Sequence, residues 1–391
     1  MMAWLGVLVM LAVPGVAVAH GGPGGSVTDG DDRFPRQTRA QIEDAVRATM
    51  VEGDWPGAIV HLWEPGRRYT RSFGTTERGA QRRWTTRDRT RIGSLTKTFT
   101  ATVILQLVQE GRLSLDDTLD RYSPQVPYAG EITIRELLNM TSGVYDFSAE
   151  PAFTQVLFGD PAHRFTPSEL VGAALLHPPN FPPGESWSYS NTNYILLGQI
   201  IERVTGRPLG EELERRIIEP LGLRDTFLAA GTEIGDPHVH GYLEITPPGQ
   251  TEPEVADATR LEVSWAWAAG GIVSSVRDLR VWVRALATGR LLDRKIQEER
   301  LQFIDLSPFE PGSPWSYGLG IGINQGFLGH NGSVPGFNSI ALYSPERKAG
   351  VVILINTSPE NDILPDGQIV SVDDLFADLV PIVFPDHKRG D

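Results

Sequence analysis

The segment Arg91-Ile92-Gly93-Ser94-Leu95-Thr96-Lys97-Thr98-Phe99 is the one around which this chain of 391 residues is organised. Ser94 and Lys97 are three residues apart, and on a helix this spacing places both side chains on one face. Apolar or small residues dominate positions 99–108, which predicts that the helix is buried. Because Ser94 lies at its start, free backbone N–H groups and the positive end of the helix dipole surround the serine.

Two interpretations of Ser94 are open on this segment alone. A serine at the start of a helix is often an N-cap that accepts a hydrogen bond from a free backbone N–H. It can also be a nucleophile that is activated by the amine beside it. The chain has only four lysines, and its basic charge is otherwise carried by arginine. A lysine placed three residues after a serine therefore favours the catalytic interpretation.

The composition excludes several classes of function. The chain has no cysteine, so disulfides, thiol catalysis and thiolate metal sites are excluded. A net charge of −14 argues against nucleic acid as a partner. His238 and His240 have the spacing of metal ligands, but no cysteine or Glu-x-x-His motif accompanies them. Neither a metal site nor another cofactor is therefore predicted.

The first 19 residues have the pattern of a signal peptide. Positions 4–18 are almost entirely apolar, and Ala17-Val18-Ala19 supplies a cleavage motif after Ala19. The alternative is a membrane anchor, although the apolar segment is short for a span and contains Pro14 and Gly15. Residues 20–33 are rich in glycine and polar side chains, which predicts a flexible leader. We therefore expect a secreted, extracytoplasmic protein without stable membrane insertion.

Residue patterns elsewhere predict strands at both ends of the chain and helices in the middle. The main predicted strands are 58–63, 69–74, 317–323, 339–343 and 350–356, and the main predicted helices are 38–50, 193–204, 276–287 and 373–383. Residues 230–258 are acidic and are expected to be irregular. This order predicts an α/β (α+β) protein. Residues 34–109 and 259–385 would form a sheet domain, and residues 110–258 an inserted, mainly helical domain.

Two further segments carry polar side chains suited to catalysis. Tyr189-Ser190-Asn191 lies in a loop that can aim a phenol and an amide at one point, although a purely structural loop is the simpler interpretation. His330-Asn331-Gly332-Ser333 lies between two predicted strands, where His330 could also be a packed strand residue. Gly332 has no Cβ, so a substrate backbone could approach it closely.

Taken together, Ser-x-x-Lys at 94–97, Tyr-x-Asn at 189–191 and His-x-Gly at 330–332 resemble the motifs of the serine β-lactamase and penicillin-binding protein family. The similarity is to class C β-lactamases and the secreted serine D-Ala-D-Ala carboxypeptidases, and it extends over nearly all of residues 35–385. Further matching segments lie at 137–143, 189–198, 264–279, 317–320 and 330–337. The resemblance implies a β-lactamase/transpeptidase-like fold, with an antiparallel sheet flanked by helices and a helical domain inserted.

The resemblance also implies a covalent mechanism. Ser94 would be the acylated nucleophile, and Lys97 and Tyr189 would share its proton and return one to the leaving group. Lysine and tyrosine both have reference pKa values of about 10, so burial or charge pairing must shift one of them before it can act as the base. The sequence leaves open which of the two is the base.

The same resemblance assigns roles in substrate binding. Asn191 would bond the amide of the acyl side chain, and the backbone N–H groups of Ser94 and Ser333 would bind the oxyanion. His330 stands where many relatives carry lysine. It would orient Tyr189 and contribute electrostatics near the substrate carboxylate.

Three further residues complete the expected binding site. Asn331 and Gly332 belong to the His330 segment and are expected to contact the substrate. Trp265 corresponds to an aromatic residue that lines the cleft in carboxypeptidase relatives. A core tryptophan beside Trp267 is the equally open alternative for Trp265.

The sequence departs from the carboxypeptidases at one position. Those relatives place an arginine on the strand after Tyr-Gly-Leu-Gly, where it binds the terminal carboxylate of the substrate, whereas this chain has Gly322 there. We expect a serine hydrolase acting on a small-molecule or peptide substrate: a D-Ala-D-Ala carboxypeptidase or D-peptidase acting on D-amino-acid peptides, or a β-lactamase-type enzyme acting on β-lactams. A carboxylesterase acting on esters and an amidase on the same fold stay open, as does a non-catalytic binder of cell-wall peptides or penicillin.

Overall fold

The computed structural model describes residues 34–160, 162–245, 254–358 and 370–385. The predicted signal peptide at 1–19 and the leader at 20–33 lie outside the described residues. The helices are α1 Arg36–Glu52, α2 Thr96–Gln109, α3 Ile134–Asn139, α4 Pro151–Gly159, α5 Pro167–Ala174, α6 Asn191–Thr205, α7 Leu209–Leu213, α8 Glu219–Leu221, α9 Trp267–Gly270, α10 Val276–Ala287, α11 Arg294–Arg300 and α12 Val372–Val383. Within the described ranges, every helix is too short or too polar to span a bilayer.

The strands form one large sheet and two small ones. They are β1 Gly57–Glu64, β2 Arg67–Gly74, β3 Thr90–Arg91, β4 Phe227–Leu228, β5 Tyr242–Ile245, β6 Glu254–Asp257, β7 Ile272–Ser274, β8 Ile304–Asp305, β9 Trp315–Tyr317, β10 Gly322–Asn324, β11 Phe327–Val334, β12 Phe337–Ser344 and β13 Ala349–Ile355. The large sheet has the order β2-β1-β13-β12-β11-β10-β9-β8, and β3-β7-β4 and β5-β6 form the small sheets.

The large sheet joins the two ends of the chain. All its neighbouring strands are antiparallel, and β1 pairs with β13 so that Ala58 lies opposite Ile355. Both strands are nearly continuous apolar runs, which is the pattern of strands that are covered on both faces. The structure thus confirms an α/β protein with an antiparallel sheet flanked by helices.

The sheet separates two hydrophobic cores. Alternate residues of β13 belong to different cores, with Val351 and Ile353 in one and Val352 and Leu354 in the other. Helices α1 and α12 cover the first face, and α10 covers the second. Because side chains alternate across a strand, one strand contributes to both cores.

The second core continues from the sheet into the helical part of the chain. Helix α2 packs against α6 and α9, and almost all of its residues are buried, including Lys97. The same core includes residues of α3, α5, α6 and α10. One core therefore holds the Ser94 helix between the sheet and the helices. The division into domains at 34–109, 110–258 and 259–385 stays a prediction.

Two predicted segments differ from the structure. The strand predicted at 317–323 is a hairpin of β9 and β10, in which Gly318 N–H donates to Ile321 O at 2.8 Å. Gly320 has a φ of +68°, a backbone conformation that favours glycine and allows this turn. The segment predicted as irregular at 230–258 contains the β5-β6 hairpin, whose connecting residues 246–253 lie outside the described ranges.

Candidate active site

Ser94 lies on a tight helical turn that leads into α2. A 3₁₀ turn spans Gly93–Leu95, and no side chain caps either this turn or the helix that follows. The Ser94 Oγ instead meets Lys97 Nζ at 3.0 Å and accepts the Tyr189 hydroxyl at 2.7 Å. The structure thus places the hydroxyl between an amine and a phenol, and the N-cap interpretation does not describe it.

Lys97 is completely buried, and its amine has three polar contacts. Its Nζ donates to Asn191 Oδ1 at 2.7 Å and to Ala269 O at 2.9 Å, in addition to the contact with Ser94 Oγ. Burial lowers the pKa of Lys97 to about 7, while the negative charge of Asp146 acts in the opposite direction. A large fraction of the amine is therefore neutral near pH 7.

Tyr189 lies in the segment just before α6. Burial of its phenol raises the pKa of Tyr189 well above its usual value. The ring also faces the lysine, with Lys97 Nζ 4.7 Å from the ring centroid. The phenol consequently keeps its proton in the neutral pH range and acts as a hydrogen-bond donor to Ser94.

Asn191 connects the lysine to a carboxylate that the sequence did not single out. It is the first residue of α6, and its Nδ2 donates to Asp146 Oδ2 at 3.2 Å and to Ser148 Oγ at 3.0 Å. Burial raises the pKa of Asp146. The matching segment at 137–143 ends three residues before Asp146, and that proximity was the one signal that pointed to it.

Strand β11 lies directly against the Ser94 turn. A Cβ on Gly93 would lie 2.7 Å from Ser333 N, and a Cβ on Gly332 would lie 2.1 Å from Ile92 O and 2.8 Å from Ser94 N. Ser339 on β12 adds a hydrogen bond of 2.9 Å to Ile92 O. The close approach brings Ser94 and Ser333 together, as an oxyanion hole built from their N–H groups requires.

Replacing Gly332 by alanine is expected to lower kcat/KM by about 100-fold, the typical effect of losing one oxyanion donor. The added methyl group would push β11 away from Ile92 and Ser94. Overpacking of this kind costs about 2 kcal/mol, so the melting temperature should also fall. Steady-state kinetics and thermal denaturation measure both effects. Gly172→Ala on α5 is the matched control, since its Cβ meets open space. A Gly332→Ala enzyme with normal kinetics would contradict the close packing.

His330 lies near Tyr189 but bonds another tyrosine. Its Nδ1 donates to Asn331 O, so the neutral ring accepts the Tyr317 hydroxyl at Nε2, at 3.0 Å. The rings of His330 and Tyr189 have centroids 6.5 Å apart. Burial lowers the pKa of His330 to about 3, and the charge of Lys97 acts in the same direction. His330 is therefore a neutral ring bonded to Tyr317, and its expected roles of orienting Tyr189 and contributing electrostatics near the substrate stay predictions.

Asn331 is turned away from Ser94. Its Nδ2 donates to Asp373 Oδ2 on α12 at 2.7 Å. Adjacent side chains of a strand point to opposite faces, so Asn331 lies across β11 from the face that Gly332 presents to the Ser94 turn. Asn331 also lines the small cavity beside Tyr189, so its expected contact with the substrate stays a prediction.

A cleft of about 890 Å³ opens at Ser94. Ser333, Asn191 and Trp265 line it, so the structure favours the cleft interpretation of Trp265 over that of a core residue. Much of the remaining wall is apolar and comes from α4 and β5, which the sequence did not suggest. These residues are Phe153, Leu157, Phe158, Leu243 and Ile245. The cleft therefore suits a substrate with an apolar side chain.

The position of Gly322 is covered by a tryptophan. A Cβ on Gly322 would lie 2.7 Å from the ring of Trp315. The two residues line a smaller cavity of about 250 Å³, together with Tyr189, Tyr317 and His330. Among the residues that the structure describes, no arginine or lysine lines this cavity. A longer side chain at Gly322 would collide with Trp315.

The two histidines with metal-like spacing each bind a carboxylate. His238 Nδ1 lies 2.8 Å from Asp236 Oδ1, and His240 Nδ1 lies 2.7 Å from Asp257 Oδ2. Among the residues that the structure describes, no group of three or more possible ligands could hold a metal ion.

The Beta-lactamase family model matches residues 42–372. Protein flp from Staphylococcus aureus (strain MW2) is 26% identical over 337 residues, which are 84% of this chain and 65% of the relative. The putative penicillin-binding protein PbpX from Bacillus subtilis (strain 168) is 29% identical over 265 residues, 68% of this chain and 61% of the relative. The chain thus spans less than two thirds of the length of these curated relatives.

Two solved structures are similar over nearly their whole length. A D-stereospecific amidohydrolase from Streptomyces sp. has 34% identity and a TM-score of 0.76, over 88% of this chain and 98% of the relative. The D-amino acid amidase from Ochrobactrum anthropi SV3, complexed with L-phenylalanine amide, has 27% identity and a TM-score of 0.77, over 90% of this chain and 100% of the relative. Because the family model matches most of its length, the chain belongs to the Beta-lactamase family.

Proposed function

We propose that this protein hydrolyses amides of D-amino acids through an acyl-enzyme formed on Ser94. The observation that carries the proposal is the convergence of Lys97 Nζ and the Tyr189 hydroxyl on Ser94 Oγ, at 3.0 and 2.7 Å. The similarity to an amidohydrolase and an amidase over almost their full length supports this reaction class.

Lys97 is the general base of this proposal. Its pKa of about 7 leaves a neutral amine that can take the Ser94 proton, whereas the phenol of Tyr189 stays protonated because its pKa is raised. As the proton moves from Ser94 Oγ to Lys97 Nζ, the oxygen forms a bond to the carbonyl carbon of the substrate. The N–H groups of Ser94 and Ser333 donate to the resulting oxyanion.

Tyr189 is the general acid. When the C–N bond breaks, the phenol gives its proton to the departing nitrogen, and the ammonium of Lys97 restores the phenol proton. The leaving group departs as ammonia or an amine, and Ser94 carries the acyl group. Water then attacks the ester carbon and gives its proton to Lys97, and Ser94 regains a proton as the D-amino acid leaves.

The surroundings of Gly322 favour an amide over a substrate with a free terminal carboxylate. A carboxylate is usually bound by arginine or lysine. In the described part of the chain, neither lines the cavity beside Trp315, and His330 is neutral because its pKa is about 3. We therefore rank D-amino-acid amides above D-Ala-D-Ala peptides, with β-lactams and esters as slower substrates.

A rate comparison tests this ranking. We expect kcat/KM to be highest on D-phenylalanine amide, with L-phenylalanine amide, a D-Ala-D-Ala peptide, a chromogenic cephalosporin and a short-chain ester slower. Intact-protein mass spectrometry after mixing with the ester should show one acyl group, located on Ser94 by peptide mapping. Faster turnover of the peptide or the cephalosporin would overturn the amidase assignment. Stoichiometric penicillin binding without turnover of any substrate would indicate a non-catalytic binder.

Export is part of the same proposal. It is supported by the apolar segment at 4–18 and the motif Ala17-Val18-Ala19. The substrate would then be a small D-amino-acid derivative met outside the cytoplasm.

A further inference from the structure

A second large groove lies between the β1-β2 hairpin and the outer side of α10. Its volume is about 940 Å³, and it shares no lining residue with the Ser94 cleft. Five arginines line it: Arg67 and Arg68 from the hairpin, Arg280 and Arg284 from α10, and Arg290 after that helix. We call this the arginine groove.

The positive charge of the arginine groove is poorly compensated. Glu64 is the one acidic residue among the described residues that line it, and it pairs with Arg67 at 3.0 Å. Among the residues that the structure describes, Arg280, Arg284 and Arg290 form no ion pair with a carboxylate. Clustered like charges repel one another, and this chain carries a net charge of −14. Arg280, Arg284 and Arg290 therefore bring uncompensated positive charge into one groove of an otherwise acidic protein.

The pKa of Arg280 reflects the same lack of a counter-charge. Burial lowers it, and the positive charges of Arg68 and Arg284 lower it further. By contrast, Arg277 one turn earlier on α10 is neutralised by Asp225 at 2.8 Å and by Asp278 at 3.3 Å. Paired and unpaired arginines therefore follow one another along a single helix face.

A smaller cavity of about 400 Å³ adjoins the arginine groove and shares Arg68 and Arg280 with it. His61 on β1 lines this cavity and is only 4% exposed. Its Nδ1 lies 2.7 Å from Thr70 Oγ1, while its buried Nε2 has no hydrogen-bond partner among the residues that the structure describes. When the Thr70 hydroxyl donates to Nδ1, Nε2 carries the proton and is a donor without an acceptor. Leaving a buried donor unpaired is costly, and an anion in the cavity would satisfy it.

We propose that the arginine groove and the adjoining cavity bind a soluble ligand that carries two or more phosphate groups. The guanidinium fork matches the geometry of phosphate oxygens and bonds them in pairs. Several unneutralised arginines spread along a groove call for more than one such group. In the tautomer that carries the proton on Nε2, His61 supplies an uncharged donor in the adjoining cavity. Amide hydrolysis at Ser94 needs none of these residues, so this site is independent of the proposed function.

Calorimetric titration with sodium tripolyphosphate at physiological salt and neutral pH tests the site. We expect saturable binding with one ligand per chain. The double variant Arg280→Gln/Arg284→Gln should bind at least about tenfold more weakly, since it removes two of the guanidinium groups that would bond phosphate oxygens. The control Arg121→Gln removes an exposed arginine of the helical region, changes the net charge in the same direction as each groove substitution, and should bind like the wild type.

Unchanged ester hydrolysis and an unchanged melting temperature establish that the double variant is folded. Absence of saturable heat with the wild type, or equal affinity in the double variant, would overturn the proposal. A parallel assay uses vesicles of phosphatidylglycerol and of phosphatidylcholine. Binding to the anionic vesicles without binding to tripolyphosphate would assign the groove to a lipid surface and would also overturn the soluble ligand.

Discussion

Replacing Ser94 by alanine is expected to abolish amide hydrolysis, with a loss of kcat of about 10⁶-fold, the scale seen when a nucleophile acts as a unit with its base. Lys97 Nζ and the Tyr189 hydroxyl both converge on the oxygen that this change removes. No acyl group can then be attached, so the mass increment that we expect with the short-chain ester should be absent from this variant. Stopped assays with D-phenylalanine amide and intact-protein mass spectrometry measure the two effects.

The same substitution should leave the fold intact. Ser94 caps no helix, and its neighbours are held by other contacts, so the stability change should stay within about 1 kcal/mol. Ser168→Ala, an exposed serine on α5, is the matched control and should keep full activity. A Ser94→Ala enzyme that retained most of its activity would identify a different nucleophile and would remove the basis of the proposed mechanism.

Replacing Lys97 by methionine is expected to lower kcat/KM by about 10⁴-fold, the upper range for a general base. The protonated amine cannot accept the serine proton, so only the neutral fraction of Lys97 is active. That fraction rises as the pH rises through the pKa of about 7. For the wild type, kcat/KM should therefore fall about tenfold per pH unit below this value and level off above it.

The pH profile separates Lys97 from the other titrating groups of the site. His330, with a pKa of about 3, stays neutral across this range and cannot produce the fall. The pKa of Tyr189 is raised well above its usual value, so a phenolate base would give activity that keeps rising in strong alkali. The fall should be absent in Lys97→Met and unchanged in the control Lys295→Met, which alters an exposed lysine on α11. A fall that persisted without Lys97 would exclude this lysine as the base.

Long segments with a regular pattern were predictable from the sequence. The apolar spacing predicts a helix at 276–287, and α10 has these bounds. It begins there because Ser275 caps its first turn. The apolar runs at 340–343 in β12 and 349–355 in β13 likewise indicate strands covered on both faces. The β9-β10 hairpin was missed because Tyr-Gly-Leu-Gly-Ile-Gly-Ile at 317–323 alternates like a single strand. Only tertiary contacts of the two strands reveal its turn.

The candidate site was likewise predictable from the sequence only in part. Ser94 and Lys97 are one helical turn apart, so their proximity follows from local geometry. The contacts of Asn191 with Asp146 and of His330 with Tyr317 join distant segments, and no local spacing encodes them. The sequence also could not show that the amine of Lys97 is buried. Burial lowers the pKa of Lys97, and this lowered pKa distinguishes the base from the acid, Tyr189.

The docking of β11 on the Ser94 turn has a consequence for newly made chains. The nucleophile turn is synthesised early, while the strand that completes the oxyanion hole is synthesised late, and the Ser339–Ile92 hydrogen bond beside it spans 247 positions. A nascent or truncated chain without this strand carries serine, lysine and tyrosine yet lacks half of the pocket for the developing charge. The proposed hydrolysis therefore requires β11 to be docked on the Ser94 turn, and turnover would count only the molecules in which this contact has formed.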